Sequence, residues 1–216
     1  ALSNIVASQV DIHSDYGGVV PEIASRTHVE FILQTVDKAL GEAGIEASRI
    51  DGVAVTNGPG LIGSLLVGLS AAKALAFALE KPLVGVNHLE AHLSAVHLEN
   101  SVEFPFVGLV VSGGHTSIYF VKDHTDCELM GKTRDDAAGE AFDKAAKVLG
   151  LGYPGGVQID RLAAEGDREK IPFPRPFNRS DTYDFSFSGI KTSLVYYLKN
   201  NPDPDEGRMK DICAGY

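Results

Sequence analysis

Apolar and polar positions along the chain alternate between a period near two and a period near 3.6, which predicts an α/β layered fold. Asn4 to Val10 reads as a short strand, with a hairpin partner ending at Tyr16-Gly17-Gly18. A helix is expected from Ser25 or Arg26 to Ala43, with Ile32, Val36, Ala39 and Leu40 on one face and Gly44 as its stop. Gly52 to Thr56 reads as a buried strand. The glycine-rich turn NGPGLIGS then opens a helix from Ser64 to Leu79 that is apolar nearly all round, so most of its sides need cover. Leu83 to Val86 reads as the next strand, and His88 opens a helix. The pattern restarts at Phe104-Pro105, which divides the chain into lobes at 1–105 and 106–216. FVGLVVSGGHTSIYFVKD reads as a hairpin with strands at Phe106–Val111 and Thr116–Val121 around an SGGH turn. A third strand is expected at Cys127–Lys132, with helices at Ala138–Leu149 and Val157–Gly166 and a further helical pattern starting near Glu206. Residues 172–187, PFPRPFNRSDTYDFSF, have neither period and read as a packed irregular loop of the functional kind.

Composition narrows the function classes. The 216 residues are 44% hydrophobic and 22% charged, ordinary for a globular protein. No apolar run is long enough to span a bilayer and no signal-peptide pattern opens the chain, which reads as soluble and intracellular. Cys127 and Cys213 are too few and too far apart for a disulfide framework or a zinc ribbon. A formal charge of -10 argues against non-specific adhesion to nucleic acid, so any RNA contact needs a local basic patch or a second protein. Both ends look cut: a strand-like run follows Ala1 at once, and the chain stops at DICAGY without a helix-ending signal.

Four stretches carry candidate chemistry. In GVNHLEAHLSAV, His88 and His92 lie roughly 40° apart on one helix face, so both rings can be directed at one ion. A metallopeptidase would need a Glu beside one of those histidines. Glu90 lies roughly 200° round the helix from His88, so the peptidase reading lacks its base. His97 falls on the opposite face. NGPGLIGSLLVG matches neither a P-loop nor a dinucleotide fingerprint; helix–strand packing, anion binding and a protein interface all remain open. VVSGGHT offers turn amides clear of side chains, with Ser112, His115 and Thr116 at one strand mouth. In DDAAGEAFDKAAKVLGLGYPGGVQID, Asp143 and Asp160 lie near the glycine-rich start of a helix, a pairing suited to ribose hydroxyls and a phosphate. Asp135 and Asp136 read equally as a solvated helix face.

Together, DYGGVVPEIASRTHVE, NGPGLIGSLLVGLSAAKALA, NHLEAHLSA, VSGGHT, DDAAGEAFDKAAKVLGLGYPGG and FSFSGIKT resemble the TsaD family, formerly called O-sialoglycoprotein endopeptidase, in its bacterial and mitochondrial branch. The resemblance covers essentially the whole chain. It implies the actin-like ATPase (ASKHA) fold, two lobes of mixed sheet with flanking helices around a nucleotide cleft. The activity it implies is transfer of a threonylcarbamoyl group from its adenylate to N6 of adenosine 37 in tRNAs reading ANN codons. Carried over by residue, His88 and His92 would bind a divalent metal, iron or zinc. Val111, Ser112, Gly113, Gly114 and His115 would wrap the threonylcarbamoyl-adenylate, or ATP or ADP in its place, and Asp143, Gly156 and Asp160 would hold the nucleoside. Implied partners are tRNA, a TsaB-type paralogue on the helix from Ser64 to Leu79 and a TsaE-type ATPase, with TsaC-type enzymes making the adenylate. The implied setting is cytoplasmic, or mitochondrial in a eukaryote. The family pattern also includes an opening phosphate-binding strand and a C-terminal third with a further nucleotide-binding Asn and a third metal ligand, an Asp. This chain carries neither, so it is expected to be inactive alone and to bind metal weakly. A non-catalytic scaffold paralogue is the alternative, with a metallopeptidase and a sugar kinase behind it.

Overall fold

The computed structural model describes residues 1–16, 18–177 and 181–216, and divides into two compact units, Ala1–Ala95 and Val96–Tyr216. In the first unit, α2 (Pro21–Ala43) begins four residues before the expected start, because Pro21 occupies its first turn, where a missing amide goes unnoticed. Gly44, at φ 65°, ends it in the left-handed region that glycine adopts without strain. Strands β1 (Val53–Gly58) and β2 (Leu83–Asn87) pair in parallel, Val53 opposite Leu83, with α3 (Ile62–Ala78) as the crossover between them. Helix α3 packs on α2 and β1 and buries Ala72 and Ala76. Gly63 permits the close approach of the two helices, since a Cβ there would collide with the Ser25 hydroxyl. The short helix α4 (His88–Ser94) follows β2 directly.

The strand expected at Asn4–Val10 does not form. Among the described residues β1 pairs with β2 alone, and residues 1–9 carry no regular element. A strand needs a ladder partner. Here side chains tie the segment to α2 instead: the Ser3 hydroxyl donates to the Ala39 carbonyl at 2.8 Å, and Gln9 Nε2 lies 3.1 Å from His28 Nδ1. The expected hairpin partner is replaced by a single-turn helix, α1 (Val10–Ser14), which buries His13. Gly17 of that reading lies outside the described residues.

In the second unit β3 (Phe106–Val111), β4 (Thr116–Val121) and β5 (Cys127–Lys132) form the expected antiparallel meander. Val111 faces Thr116 across the turn, and a register irregularity falls between Ile118 and Tyr119. Helices α5 (Ala138–Leu149), α6 (Gly155–Ala163), α7 (Ser188–Asn200) and α8 (Glu206–Gly215) follow. Their core is Ala145, Ala146, Ile159, Ile171, Phe173, Ile190, Leu194, Ile212 and Cys213. Burial pushes the Cys213 thiol up to about 11. Helix α6 starts two residues before the expected Val157, and its Gly155 has no room for a Cβ, which would sit 2.5 Å from the Ala146 Cβ.

The segment read as an irregular loop over 172–187 is tied to the sheet. Phe185 bridges Thr133 in parallel, its amide donates to Lys132 at 3.1 Å, and its carbonyl accepts from Arg134 at 2.9 Å. Residues 178–180 of that reading lie outside the described residues.

Candidate functional site

In the first unit the pair on α4 is set by a cap that the sequence reading passed over. The Asn87 side-chain oxygen accepts the amides of Leu89 at 2.9 Å and Glu90 at 3.4 Å, fixing the first turn one residue before His88. The Nε2 atoms of His88 and His92 come within 3.2 Å, with the rings edge to face. Two nitrogens on one tetrahedral zinc, each about 2.05 Å from the ion, lie about 3.3 Å apart. The spacing therefore fits two ligands of one cation. Among the described residues no group of three or more His, Cys, Asp or Glu is placed to complete such a site. Glu90 is exposed at the third helical position, away from the His face. His97 belongs to another group: its ring packs on Phe104 at 5.1 Å, His124 at 5.0 Å and Phe106 at 5.8 Å.

In the second unit three segments far apart in sequence are joined by hydrogen bonds. The Ser112 amide donates to the His115 carbonyl at 2.8 Å and closes the SGGH turn. The Ser112 hydroxyl accepts the amides of Gly114 at 3.4 Å and His115 at 3.0 Å. Two of the amides read as clear of side chains are thus engaged inside the turn, while Gly113 and Gly114 are exposed with open space where a Cβ would be. The Gly139 amide, in the first turn of α5, donates to the Ser112 carbonyl at 3.1 Å, and Ala138 donates to the buried Thr116 hydroxyl at 2.9 Å. Helix α5 so docks its N-terminus on the turn. A Cβ on Gly139 would come within 2.8 Å of the Gly113 Cα, so only glycine permits this approach. Further along α5, the Asp143 carboxylate accepts the Gly155 amide at 2.8 Å, at the start of α6, where Gly156 and Asp160 follow.

Asp135 is exposed, yet both its oxygens are engaged, and Asp136 is half-buried. Asp135 Oδ1 accepts the amides of Phe187 at 2.8 Å and Ser188 at 3.3 Å, and Oδ2 accepts the hydroxyls of Ser186 at 2.5 Å and Ser188 at 2.6 Å. Burial pushes this carboxyl up, but the four hydrogen bonds outweigh it and hold it down to about 2. It caps α7 from a distant part of the chain, and no short-range sequence signal announces that role. Asp136 pairs with Lys144 at 2.6 Å. Hydrogen bonds from Lys144 to Asp136 and Glu140 raise the lysine above its usual range.

Helix α3, expected to need cover nearly all round, leaves one stripe exposed: Ile62 is 77%, Leu66 57% and Phe77 88% accessible. Among the described residues no helix is long and apolar enough to cross a membrane.

A family profile described as TsaD, tRNA N6-adenosine threonylcarbamoyltransferase, matches residues 1–216. The protein of that name from Geotalea uraniireducens (strain Rf4) is 59% identical over 216 residues, 100% of this chain and 63% of the relative. Its counterpart from Syntrophus aciditrophicus (strain SB) is 62% identical over 217 residues, 100% of this chain and 64% of that relative. The chain thus spans less than two thirds of the length of these curated relatives. Among solved structures, YeaZ from Pseudomonas aeruginosa matches at 24% identity and a TM-score of 0.38, over 48% of this chain and 49% of that one, too low a score to bear on the fold. On the family match over its whole length, this chain belongs to the TsaD family, whose fold is the actin-like ASKHA fold and whose curated members are tRNA N6-adenosine threonylcarbamoyltransferases.

Proposed function

We propose that the protein of which this chain forms part transfers a threonylcarbamoyl group from threonylcarbamoyl-adenylate to N6 of adenosine 37 in tRNAs reading ANN codons. One observation carries the reading. The turn Val111–His115, Asp143 on α5 and the Gly156–Asp160 stretch of α6 are tied into one body by the Gly139–Ser112 and Gly155–Asp143 hydrogen bonds.

In this reading Val111, Ser112, Gly113, Gly114 and His115 hold the acyl-adenylate, with the glycines leaving room for its phosphate. Asp143 orients the start of α6 through Gly155, and its second oxygen, with Asp160, accepts ribose hydroxyls beside Gly156. ATP or ADP would occupy the same nucleoside site. His88 and His92 would hold one divalent ion, iron or zinc, which would supply Lewis-acid chemistry when bound. In the transfer the bond from N6 to the acyl carbon forms as the acyl–phosphate bond breaks, AMP leaving and the N6 proton passing to solvent; Glu90, away from the His face, takes no part as a peptidase-type base. We assign residues 1–105 and 106–216 to the two lobes of the family fold. The exposed Ile62, Leu66 and Phe77 stripe of α3 is the surface for a TsaB-type paralogue, with a TsaE-type ATPase joining that assembly, and the setting is cytoplasmic.

Depletion of the parent gene, followed by mass spectrometry of tRNA nucleosides, is expected to remove threonylcarbamoyladenosine. An unchanged level overturns the reading.

A further inference from the structure

We infer that the second unit carries a separate pocket for one unpaired nucleobase of an RNA strand, between the end of β5 and the start of α7. The inference rests on the tRNA-modifying reading for the source of the strand, and on the pocket's own chemistry for the kind of ligand.

The cavity measures about 360 Å³, near the lower end for ligand sites and suited to a single planar ring system. Among the described residues its walls are rich in aromatic rings, Phe177, Tyr183, Phe185 and Phe187, with Asp184 and Arg175 among them. Phe185 and Phe187 lie parallel within 11°, and Tyr183 is 61% accessible. Phe177, Phe185 and Phe187 are half-buried, Phe187 packing also against the core, so Tyr183 offers the accessible stacking face among these four rings. None of Val111–His115, Asp143, Gly156 or Asp160 lines this cavity.

The walls are held in place before any ligand arrives. Phe185 is bonded on both sides to Lys132 and Arg134, and the Phe187 amide is held by Asp135. The Tyr183 backbone presses so closely on β5 that a Cβ at Gly131 would collide with it. Phe177 adopts φ 61°, a left-handed conformation rare for a bulky residue and found where surroundings impose it. A preorganised stacking surface loses little entropy on binding.

Cations border the cavity although the chain is acidic overall, two of them ion-paired, Arg134 with Asp184 at 2.8 Å and Lys191 with Asp136 at 3.8 Å. Arg134 lies 4.8 Å above the Phe177 ring, and Lys132 and Lys191 stand on the adjoining ends of β5 and α7. The nearby carboxylates are already engaged: Asp184 by Arg134 at 2.8 Å and the Lys132 amide at 3.0 Å, Asp135 by the α7 cap. Each Asp184 oxygen keeps a second lone pair that can accept from an exocyclic base amine. Aromatic faces, a stacked guanidinium and an acceptor at the base edge are the means by which proteins hold splayed RNA bases.

The test is fluorescence anisotropy of the whole chain with a labelled RNA stem-loop carrying an unpaired loop, against a fully paired duplex of the same length. The stem-loop is expected to bind at least about tenfold more tightly than the duplex. Tyr183→Ala should weaken stem-loop binding about 5- to 150-fold, and Tyr183→Phe, which keeps the ring, should stay within about twofold of wild type. Arg134→Gln should weaken binding and reduce its salt slope by about one counterion. Absence of RNA binding, equal affinity for duplex and stem-loop, or Tyr183→Ala binding as wild type with an unchanged melting curve each overturns the pocket. So does equal loss in Tyr183→Ala and Tyr183→Phe, or capture of an apolar peptide but no RNA. None of these arms uses the adenylate: their failure leaves the transferase reading standing, and unchanged tRNA nucleosides on depletion refute that reading without touching the pocket.

Discussion

The Asp143 carboxylate accepts the Gly155 amide at 2.8 Å, so a residue in the middle of α5 fixes the first turn of α6. Replacing the acceptor separates its structural part from its charge. Asp143→Asn keeps an oxygen for Gly155 and should lower stability by at most about 1 kcal/mol, whereas Asp143→Ala orphans the amide and should cost about 1–2 kcal/mol in urea unfolding. In the parent transferase both variants should lose activity if the carboxylate also holds ribose. Full activity in Asp143→Asn would confine the residue to its capping role.

Asp135 makes stability depend on pH. Its folded value, about 2, lies below the ordinary 3.8, so the cap stabilises fully above pH 4 and its contribution disappears as pH falls toward 2. Because the residue is exposed, solvent screening reduces the effect to about 1 kcal/mol. Asp135→Asn should flatten the acid limb of a stability–pH curve between pH 4 and 2, as followed by circular dichroism. An unchanged limb would show that other carboxyls dominate it.

Gly139→Ala tests the docking of α5 on the SGGH turn. The added methyl would meet the Gly113 Cα at 2.8 Å and the Ser112 carbonyl oxygen at 2.9 Å, both backbone atoms that cannot rotate away. The expected loss is roughly 1–3 kcal/mol, with chemical-shift changes at Ser112 to His115. A variant as stable as wild type, with those shifts unmoved, contradicts the packing.

Two imidazole nitrogens make a weak metal site. Titration calorimetry with zinc should show binding in the micromolar range or weaker, lost in His88→Ala and in His92→Ala. Tight binding that survives both substitutions would place the ion elsewhere.

Cys213 is buried and its thiol is pushed up to about 11, whereas Cys127 is partly accessible. Alkylation at neutral pH should modify Cys127 first and reach Cys213 only with global unfolding, as read by peptide mass spectrometry. Equal native-state rates would contradict the core around α8.

What the sequence disclosed follows from the range of the forces involved. The β3–β4 hairpin was readable because alternation and turn glycines act within a few residues, and the His88–His92 pair because a helix fixes its own spacing. The strand assigned to Asn4–Val10 failed because alternation says nothing about whether a neighbour is present to pair with it. Helix α7 was missed because the aromatic-rich run before it lacks a local cap, its acceptor being Asp135. The nearest-neighbour patterns could not show that the Ser112 hydroxyl engages the amides of its own turn.

The distant cap on α7 also has an order in time. Ser188 lies 53 residues after Asp135, an interval of roughly 3 to 10 seconds on a translating ribosome. The acceptor is therefore synthesised before the helix it caps, whereas the core that covers Ile190 and Leu194 is complete only once Ile212 and Cys213 follow.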